Sequence, residues 1–265
     1  MSGFSFPFEA TADDAETCRR IVALAGRAGG APIYTKFLDG REQTIARYAL
    51  ESAGHKNYIF HGGRPGGERA VLAIYGYPFG EAEIDGLRAD FPIVALHIKG
   101  SGYTALSHRD YLGSILATGI KREFVGDIIT GGEHAAAVFI CAEIAPYLIS
   151  NLETVGRDKV RVEYMDSDEL ANFGGEKTVE PITGHVASLR IDSIVAVALN
   201  LSREKAKDAL RAGIVSVNHM PVTSHDRQLN EGDLISVRGA GRFELASAGG
   251  LTRKGNVKVV IHKYV

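Results

Sequence analysis

The strongest constraint on the fold lies in residues 201–222, LSREKAKDALRAGIVSVNHMPV, where a helix, a stop signal and a strand follow one another. Ser202 is placed to accept a hydrogen bond from a free backbone N–H of the first helical turn, as an N-cap does. Gly213 is placed to end the helix in a left-handed conformation. After it, IVSVNHMPV alternates as a strand does, with a turn at Asn218 and His219. The stretch therefore predicts a helix that leads directly into a β-hairpin.

A second helix is predicted immediately before this one. Apolar residues recur at helical spacing in LRIDSIVAVAL, residues 189–199, and Asn200-Leu201 turns the chain toward the capped helix. The two short helices should therefore pack as a hairpin. Residues 230–245, NEGDLISVRGAGRFEL, add a further turn and a strand to the predicted sheet. We expect a small unit of two helices and a sheet within residues 182–265.

Charge is distributed unevenly along the chain. Residues 1–180 carry 18 Lys and Arg against 25 Asp and Glu, a net charge of −7, whereas residues 181–265 carry 12 against 7, a net charge of +5. A basic C-terminal third in an otherwise acidic chain indicates that one module of the protein binds a polyanion.

The predicted second helix concentrates part of this positive charge. At 100° per residue, Arg203, Lys207 and Arg211 span only about 80° and form one stripe. An alternative interpretation stays open, in which Glu204 pairs with Lys207 and Asp208 with Arg211 at three-residue spacing. In that case the stripe is an ordinary solvated face.

The whole arrangement resembles the alpha-L or S-four-type RNA-binding domain, first described in a small-subunit ribosomal protein. The resemblance runs through LRID, LSREKAKDALRAGIVSVNHMPV and LNEGDLISVRGAGRFEL, in the family's order and spacing, over most of residues 182–245. Family members commonly have glycine after the turn asparagine, where this chain has His219. Carried onto matching positions, the resemblance implies RNA contact by Arg190, Ser202, Arg203, Lys205, Lys207, Arg211, Asn218 and His219, with Arg238 and Arg242 at the sheet edge. Such contacts should go mainly to phosphate and ribose, because the deep groove of folded RNA resists reading by side chains.

The rest of the chain predicts two further domains and an α+β fold class. Residues 1–60 show helical spacing and predict a helical N-terminal domain. Residues 61–165 read as strand, helix, strand, strand, helix, strand, which is the ferredoxin-like order also used by RNA-recognition-motif (RRM-like) domains. Residues 166–181 read as a linker into the S-four-type domain of residues 182–265. The aromatic base-stacking signature of RNA-recognition motifs is absent from AAAVFICA, so we expect the ferredoxin-like fold without the usual binding face.

The segment LSHRDYLGSILATGIKREFVGDIIT, residues 106–130, is similar to a signature of the bacterial YlmH proteins. That family has a helical start, a ferredoxin-like middle domain and a C-terminal S-four module, so the resemblance spans almost the full chain. It implies binding of structured rRNA and tRNA on a large ribosomal subunit that carries a stalled peptidyl-tRNA, in ribosome-associated quality control; an older link is to cell division. Arg109, Lys121 and Arg122 form a candidate secondary RNA patch or ordinary surface charge.

Catalytic interpretations fit the residues less well, and no catalytic residue is predicted. Ser107, His108 and Asp110 lie too close on one helix to converge as a hydrolase triad, whereas Ser107 and Asp110 suit a capping box. Arg190-Ile191-Asp192 resembles the R-L-D tripeptide of pseudouridine synthases, which often bear an S-four module. Those enzymes place a large catalytic domain after the module, and here only about 20 residues follow it. We expect a non-enzymatic protein, with an RNA-modifying enzyme or a cell-division adaptor as the alternatives.

No cofactor or metal is predicted either. None of the nine histidines forms an H-x3-H pair or a Cys/His cluster, and the two cysteines are far apart and outside any CxxC pair. No apolar run approaches the roughly 18 residues that span a bilayer, and MSGFSFPFEA lacks the layout of a signal peptide. We expect a cytoplasmic monomer that contacts no membrane.

Overall fold

The computed structural model describes residues 10–173, 179–251 and 255–264, which form two compact units. The first unit comprises the described part of residues 11–175, and the second comprises Ala10 and the described part of residues 176–265.

The first unit combines helices with two antiparallel sheets. Its helices are α1 (Ala12–Ala25), α2 (Gly40–Ser52), α3 (Ile84–Ala89), α4 (His108–Ala117), α5 (Ala145–Asn151) and α6 (Ser167–Ala171). Its strands are β1 (Ile33–Leu38), β2 (Tyr58–His61), β3 (Ala70–Ile74), β4 (Ile93–Gly100), β5 (Val125–Thr130), β6 (Ala135–Cys141), β7 (Thr154–Val155) and β8 (Asp158–Tyr164).

The strands of the first unit pair in the order β1-β3-β2 in one sheet and β5-β6-β4-β8-β7 in the other. Every neighbouring pair is antiparallel. From β4 to β8 the chain follows the predicted order of strand, helix, strand, strand, helix, strand, with the two-residue β7 added at one edge. The fold class is therefore α+β, as the sequence predicted.

Both faces of the five-stranded sheet are covered. Because successive side chains on a strand point to opposite faces, alternate residues of the sheet belong to two different cores. On one face, Tyr111 of α4 and Leu148 of α5 pack in a buried cluster with Leu96 of β4. On the other face, Phe139 of β6 packs in a second cluster with Phe37 of β1, which belongs to the three-stranded sheet.

The prediction of a wholly helical segment over residues 1–60 is wrong in two places. Helices α1 and α2 are present, and α2 begins after the predicted turn, with Asp39 accepting a hydrogen bond from the backbone N–H of Glu42 at 2.9 Å. However, residues 33–38 and 58–61 are strands that flank β3 on either side. Every residue of β1 is buried or half-buried, so the strand lacks the alternation of apolar and polar residues that would have revealed it.

The second unit consists of a helical hairpin on one sheet. Its helices are α7 (Ile191–Ala198) and α8 (Arg203–Arg211). Its strands are β9 (Val179–Val186), β10 (Val215–Val217), β11 (Met220–Pro221), β12 (Leu234–Val237), β13 (Gly241–Leu251) and β14 (Val257–Tyr264), paired in the order β11-β10-β12-β13-β14-β9. Ile194 of α7 and Leu210 of α8 share a buried core with Phe243 of β13.

The predicted linker, residues 166–181, is shorter in the structure than in the prediction. Helix α6 occupies residues 167–171, and β9 begins at residue 179 and pairs with β14. Residues 174–178 lie outside the described residues. Among the helices that the structure describes, none has the length and apolar character that a membrane crossing requires.

We expect Phe139→Ala to destabilise the first unit strongly. Phe139 is 1% exposed between the two sheets, and truncation of a buried phenylalanine costs about 3–5 kcal/mol of unfolding free energy. Urea unfolding of the full chain, followed by circular dichroism, measures this loss. Tyr164→Ala, at an aromatic residue that is 55% exposed, serves as the control and should change stability by less than about 1 kcal/mol. Equal effects of the two changes would show that the sheets do not pack through Phe139.

Candidate nucleic-acid interface

The helical hairpin forms through the signals read from the sequence. Asn200 adopts a left-handed φ of 51°, which reverses the chain after α7. The Ser202 hydroxyl accepts a hydrogen bond from the backbone N–H of Lys205 at 3.3 Å and so caps α8. Gly213, with φ of 65°, ends α8 in the predicted left-handed conformation.

A buried carboxylate joins the N-terminal ends of the two helices. Asp192, in the first turn of α7, is fully buried. One of its oxygens, Oδ2, accepts a hydrogen bond from Nη2 of Arg203 at 2.8 Å, and the other, Oδ1, lies 3.3 Å from Nε of Arg190. Both arginines keep part of their surface in solvent, with side chains 52% and 30% exposed respectively. Asp192 therefore holds two of the predicted RNA-binding arginines together at one end of the hairpin.

The charge state of Asp192 follows from these contacts. Burial acts to raise the pKa of the carboxyl, but the hydrogen bond from Arg203 and the charges of Arg203 and Arg190 outweigh it, so the pKa is lowered. The position in the first turn of a helix also favours the anion. Asp192 is thus an ionised structural group at neutral pH.

This environment does not suit the catalytic role considered for Asp192. A nucleophilic carboxylate must reach its substrate, whereas Asp192 has no exposed surface and both of its oxygens face arginines. Within the described residues, no group of three or more His, Cys, Asp or Glu side chains is arranged to hold a metal ion.

The acids of α8 bind the cations of the predicted stripe. Lys207 Nζ lies 3.3 Å from Oε2 of Glu204, and Arg211 Nη1 lies 2.8 Å from Oδ1 of Asp208 and 3.4 Å from Oε1 of Glu204. The Glu204–Lys207 and Asp208–Arg211 pairs are those of the alternative interpretation, and the contact between Arg211 and Glu204 is additional. They lower the pKa of Glu204, first through the hydrogen bond from Lys207. Lys205, on the same helix, is exposed and has no ion pair with any described residue.

These surface pairs do not prevent phosphate binding. The side chains of Arg211 and Glu204 are 62% and 65% exposed, and exposed ion pairs are weak because water screens them and two long side chains must be ordered. A phosphate bears more charge than the carboxylate it would displace, and Arg binds it through two parallel hydrogen bonds. The carboxylates therefore act as exchangeable partners on this face.

The hairpin turn between β10 and β11 has a defined type. Asn218 and His219 have φ of 49° and 66°, so the turn is type I′, with His219 in a position where many chains have glycine. The Asn218 amide nitrogen donates to Oδ1 of Asp233 at 2.7 Å, and its oxygen accepts from the N–H of Leu234 at 2.9 Å. The Asn218 side chain thus fixes the turn against the next loop.

Three of the predicted residues line one cavity. His219, Arg238 and Arg242 surround a cavity of about 460 Å³ that begins at Gly213, directly after α8. Arg238 is exposed and forms no ion pair with the described residues. A histidine and two guanidinium groups around one concavity match a phosphate group.

Two serines complete this cavity, and the prediction had omitted them. Ser216 of β10 is the cross-strand partner of Ser236 of β12, which in turn faces Arg242 of β13. Both serines line the cavity. Their signal lies in the sequence: in VSV and ISV the serine alternates with core residues and must occupy the opposite face of the sheet.

The ten predicted residues therefore fall into separate groups. One group lies on the helical hairpin, the second lines the cavity, and Asn218 supports the turn. The hairpin group comprises Arg190, Ser202, Arg203, Lys205, Lys207 and Arg211, and the cavity group comprises His219, Arg238 and Arg242.

The structure does not bring the predicted secondary patch together. Arg109 lies in the first turn of α4, whereas Lys121 and Arg122 follow its last turn, so about 15 Å of helix separates them. Arg122 donates to the carbonyl of Val125 and, at 3.3 Å, to that of Gly126. Burial, followed by the charge of nearby Arg69, lowers the pKa of Arg122 to about 10. Arg122 is thus a structural residue of the first unit.

Comparisons with known proteins bear on both units. Residues 87–169 match a family model described as "Putative RNA-binding domain in YlmH". The chain is 29% identical over 230 residues, 86% of its length and 86% of the relative's, to the "Ribosome-associated protein quality control protein P2" of Bacillus subtilis (strain 168). It also resembles the solved structure "Cell division protein ylmH from Streptococcus pneumoniae", with a TM-score of 0.51 and 20% identity, over 62% of this chain and 98% of the other. The last likeness concerns the fold alone.

We expect Asp192→Asn to weaken the second unit and to change its response to acid. Loss of the ion pairs while a polar group stays buried should cost about 1–3 kcal/mol at pH 7. Because the folded pKa is below the ordinary 3.8, the contribution of Asp192 is present above that pH and is lost as the pH falls below it. Between pH 5 and pH 2 the variant should therefore lose less unfolding free energy than the parent protein. The difference between the two losses should be about the 1–3 kcal/mol that Asp192 contributes at pH 7.

Urea unfolding at neutral and acidic pH, followed by circular dichroism, tests this expectation. Asp208→Asn is the control, because Asp208 also pairs with an arginine but is 63% exposed. If both variants behaved alike, the buried carboxylate would have no special role in the hairpin.

Proposed function

We infer that the chain belongs to the YlmH family, and on that premise we propose that it is a non-enzymatic protein that binds structured rRNA or tRNA through its second unit. We assign this unit, which includes residues 182–265, to the S-four-type RNA-binding domains. The observation that carries the proposal is the convergence of His219, Arg238 and Arg242 around one cavity, beside a helical hairpin that presents further cations. Guanidinium groups match phosphate oxygens, and the serine hydroxyls of the cavity match ribose.

We further propose that the RNA belongs to a large ribosomal subunit carrying peptidyl-tRNA, in ribosome-associated quality control. The name of the Bacillus subtilis relative supports this choice. The net charge of +5 over residues 181–265 supports it as well, because an rRNA or tRNA fold presents many phosphates to a shape-reading module. The protein would then act in the cytoplasm, as a monomer.

The first unit is assigned a positioning role in this proposal. The strand order β5-β6-β4-β8 with antiparallel neighbours is the ferredoxin-like arrangement, which supports that assignment for residues 93–164 of the predicted 61–165. The first part of the predicted range contains β3, which pairs with β1 and β2 in the other sheet. RNA-recognition motifs bind bases on the open face of such a sheet. Here the three-stranded sheet packs on that face, so base stacking across the sheet is not part of the proposal.

The two alternative functions have different support. An RNA-modifying enzyme would need an accessible nucleophile, and Asp192 is buried between two arginines. The likeness to the Streptococcus pneumoniae cell division protein concerns the fold alone and does not favour a cell-division adaptor. Such an adaptor would keep its partners after ribonuclease treatment and in high salt, whereas binding to phosphates weakens steeply as salt rises.

We expect the double change Arg238→Ala and Arg242→Ala to lower the affinity for large ribosomal subunits at least about tenfold, because two guanidinium groups can no longer bind phosphate. The slope of log K against log salt should fall by about one for each phosphate that the variant no longer neutralises. Equilibrium binding to purified subunits at several salt concentrations measures both quantities. Arg203 is not changed, since an acid placed there would face the buried Asp192.

Lys258→Ala is the matched control for this experiment. Lys258 is exposed on β14, six residues before Tyr264, the cross-strand partner of Arg242, and so lies about 20 Å away along the strand. This distance is more than twice the Debye length of about 8 Å at physiological salt, so salt screens the charge of Lys258 from that of Arg242. If Lys258→Ala weakened binding as much as the double change, binding would depend on the overall positive charge of the second unit and not on the cavity.

We expect Glu204→Gln to increase RNA affinity by about two- to fivefold, because it frees Lys207 and leaves Arg211 with one carboxylate partner, Asp208, instead of two. The same binding assay measures the gain. Glu16→Gln is the control, because Glu16 also forms an exposed pair three residues from an arginine, Arg19, but lies on α1 in the first unit. A decrease or no change for Glu204→Gln would remove the helical stripe from the binding surface.

A further inference from the structure

An exposed aromatic side chain lies at one end of the five-stranded sheet. Tyr103 is 78% exposed, in the loop of residues 100–106 that connects β4 to α4, which we call the Tyr103 loop. It is the most exposed of the large apolar side chains among the described residues. Since its ring stays in water, Tyr103 adds nothing to the core of the unit.

A buried carboxylate holds the first half of the Tyr103 loop. Asp158, at the start of β8, is only 1% exposed. It accepts hydrogen bonds from the Ser101 hydroxyl and, at 3.3 Å, from the backbone N–H of Gly102. Gly102 has φ of 89°, a conformation that glycine adopts without strain. The backbone N–H of Ser101 also donates to the carbonyl of Lys159 at 3.0 Å.

The turn between β5 and β6 holds the second half. The backbone N–H of Leu106 donates to the carbonyl of Glu133 at 2.7 Å, and Nδ1 of His134 lies 3.0 Å from the carbonyl of Thr104. The Leu106 side chain is buried in the core beneath. Because both halves are fixed, the ring of Tyr103 is presented on an ordered backbone, and a ligand would bind without first ordering the loop.

Three exposed cations lie on segments that adjoin the Tyr103 loop. Lys159 follows Asp158, Arg157 precedes it in the β7–β8 turn, and Arg109 lies in the first turn of α4, directly after the loop. All three are exposed, and none forms an ion pair with a described residue. Exposed acids lie at this end as well: Glu133 lies 3.8 Å from Nε2 of His134, and Asp110 accepts hydrogen bonds from the backbone N–H and the hydroxyl of Ser107. An exposed aromatic ring with unpaired cations on the adjoining segments matches a nucleotide, which offers a flat base beside a phosphate.

We propose that the Tyr103 loop binds an unpaired nucleotide of the RNA, with the ring stacked on the base and Arg109 and Lys159 at the flanking phosphates. This inference rests on the proposed function and gives the first unit its own contact with RNA. The family model that matches residues 87–169 describes this region as RNA-binding, yet both faces of its sheet are covered. The end of the sheet that carries Tyr103 is thus the surface whose exposed ring and cations suit contact with RNA. Stacking tolerates any base, so the ligand class is a single-stranded segment rather than a given sequence.

The test uses the full-length protein and two RNA probes, a stable hairpin and the same hairpin with an unpaired extension at its 3′ end. The parent protein should bind the extended RNA more tightly. Tyr103→Ala should lower affinity for the extended RNA about fivefold or more and leave the plain hairpin unaffected, whereas Tyr103→Phe should retain the stacking. Tyr147→Ala is the matched control, because Tyr147 is 47% exposed but lies near the other end of α4, where its hydroxyl donates to the Thr118 carbonyl.

Two outcomes would overturn this inference alone, and a third would overturn the proposed function with it. If Tyr103→Ala bound both probes as the parent does while Arg238→Ala with Arg242→Ala lost affinity for both, the loop would not contact RNA and the second unit still would. If Tyr103→Ala bound both probes normally but no longer associated with ribosomal subunits, the loop would contact a protein, and the inference would be overturned. Failure of the parent protein to bind either probe would overturn the proposed function and this inference together.

Discussion

The buried ion pair between Asp192 and Arg203 is the contact on which the candidate interface depends. It joins the first turns of α7 and α8 across a connection that contains the left-handed Asn200. A carboxylate without exposed surface is tolerated only when its charge is compensated, and here Arg203 and Arg190 compensate it. The same contact positions two guanidinium groups at the surface. The ion pairs that compensate Asp192 therefore also hold two residues of the candidate interface in place at this end of the hairpin.

The acids of α8 form ion pairs with two of the three cations in the basic stripe, Lys207 and Arg211. Glu204 and Asp208 pair with Lys207 and Arg211 along the helix, so a phosphate that bound either cation would have to displace a carboxylate. The pairs are exposed and weak, and a phosphate competes with them directly. The cavity differs in this respect, since Arg238 has no carboxylate partner among the described residues. The cavity and the helix would therefore respond differently to salt and to removal of nearby acids.

In the first unit, packing decides which surfaces of the five-stranded sheet remain exposed. Its five-stranded sheet has helices on one face and a second sheet on the other, with Phe139 and Phe37 in the core between the sheets. Neither face is open to a base. The surface that remains is the end of the sheet, where the buried Asp158 fixes the backbone that presents Tyr103. Covering one face of the sheet thus leaves loops, rather than strands, to contact a ligand.

The sequence by itself determined the local structure of the second unit, because caps and tight turns depend on neighbouring residues: Ser202, Gly213 and Asn218 act as their positions predicted. It also predicted which cations share a helix. The partners of those cations depended on the tertiary structure, since Asp192 lies eleven residues before Arg203 and Arg122 binds carbonyl groups instead of facing solvent. The strand character of β1 was likewise decided by packing, because a strand covered on both faces loses the alternation that identifies it. Caps and turns can be predicted from neighbouring residues, whereas burial and ion pairs depend on which segments of the chain pack together.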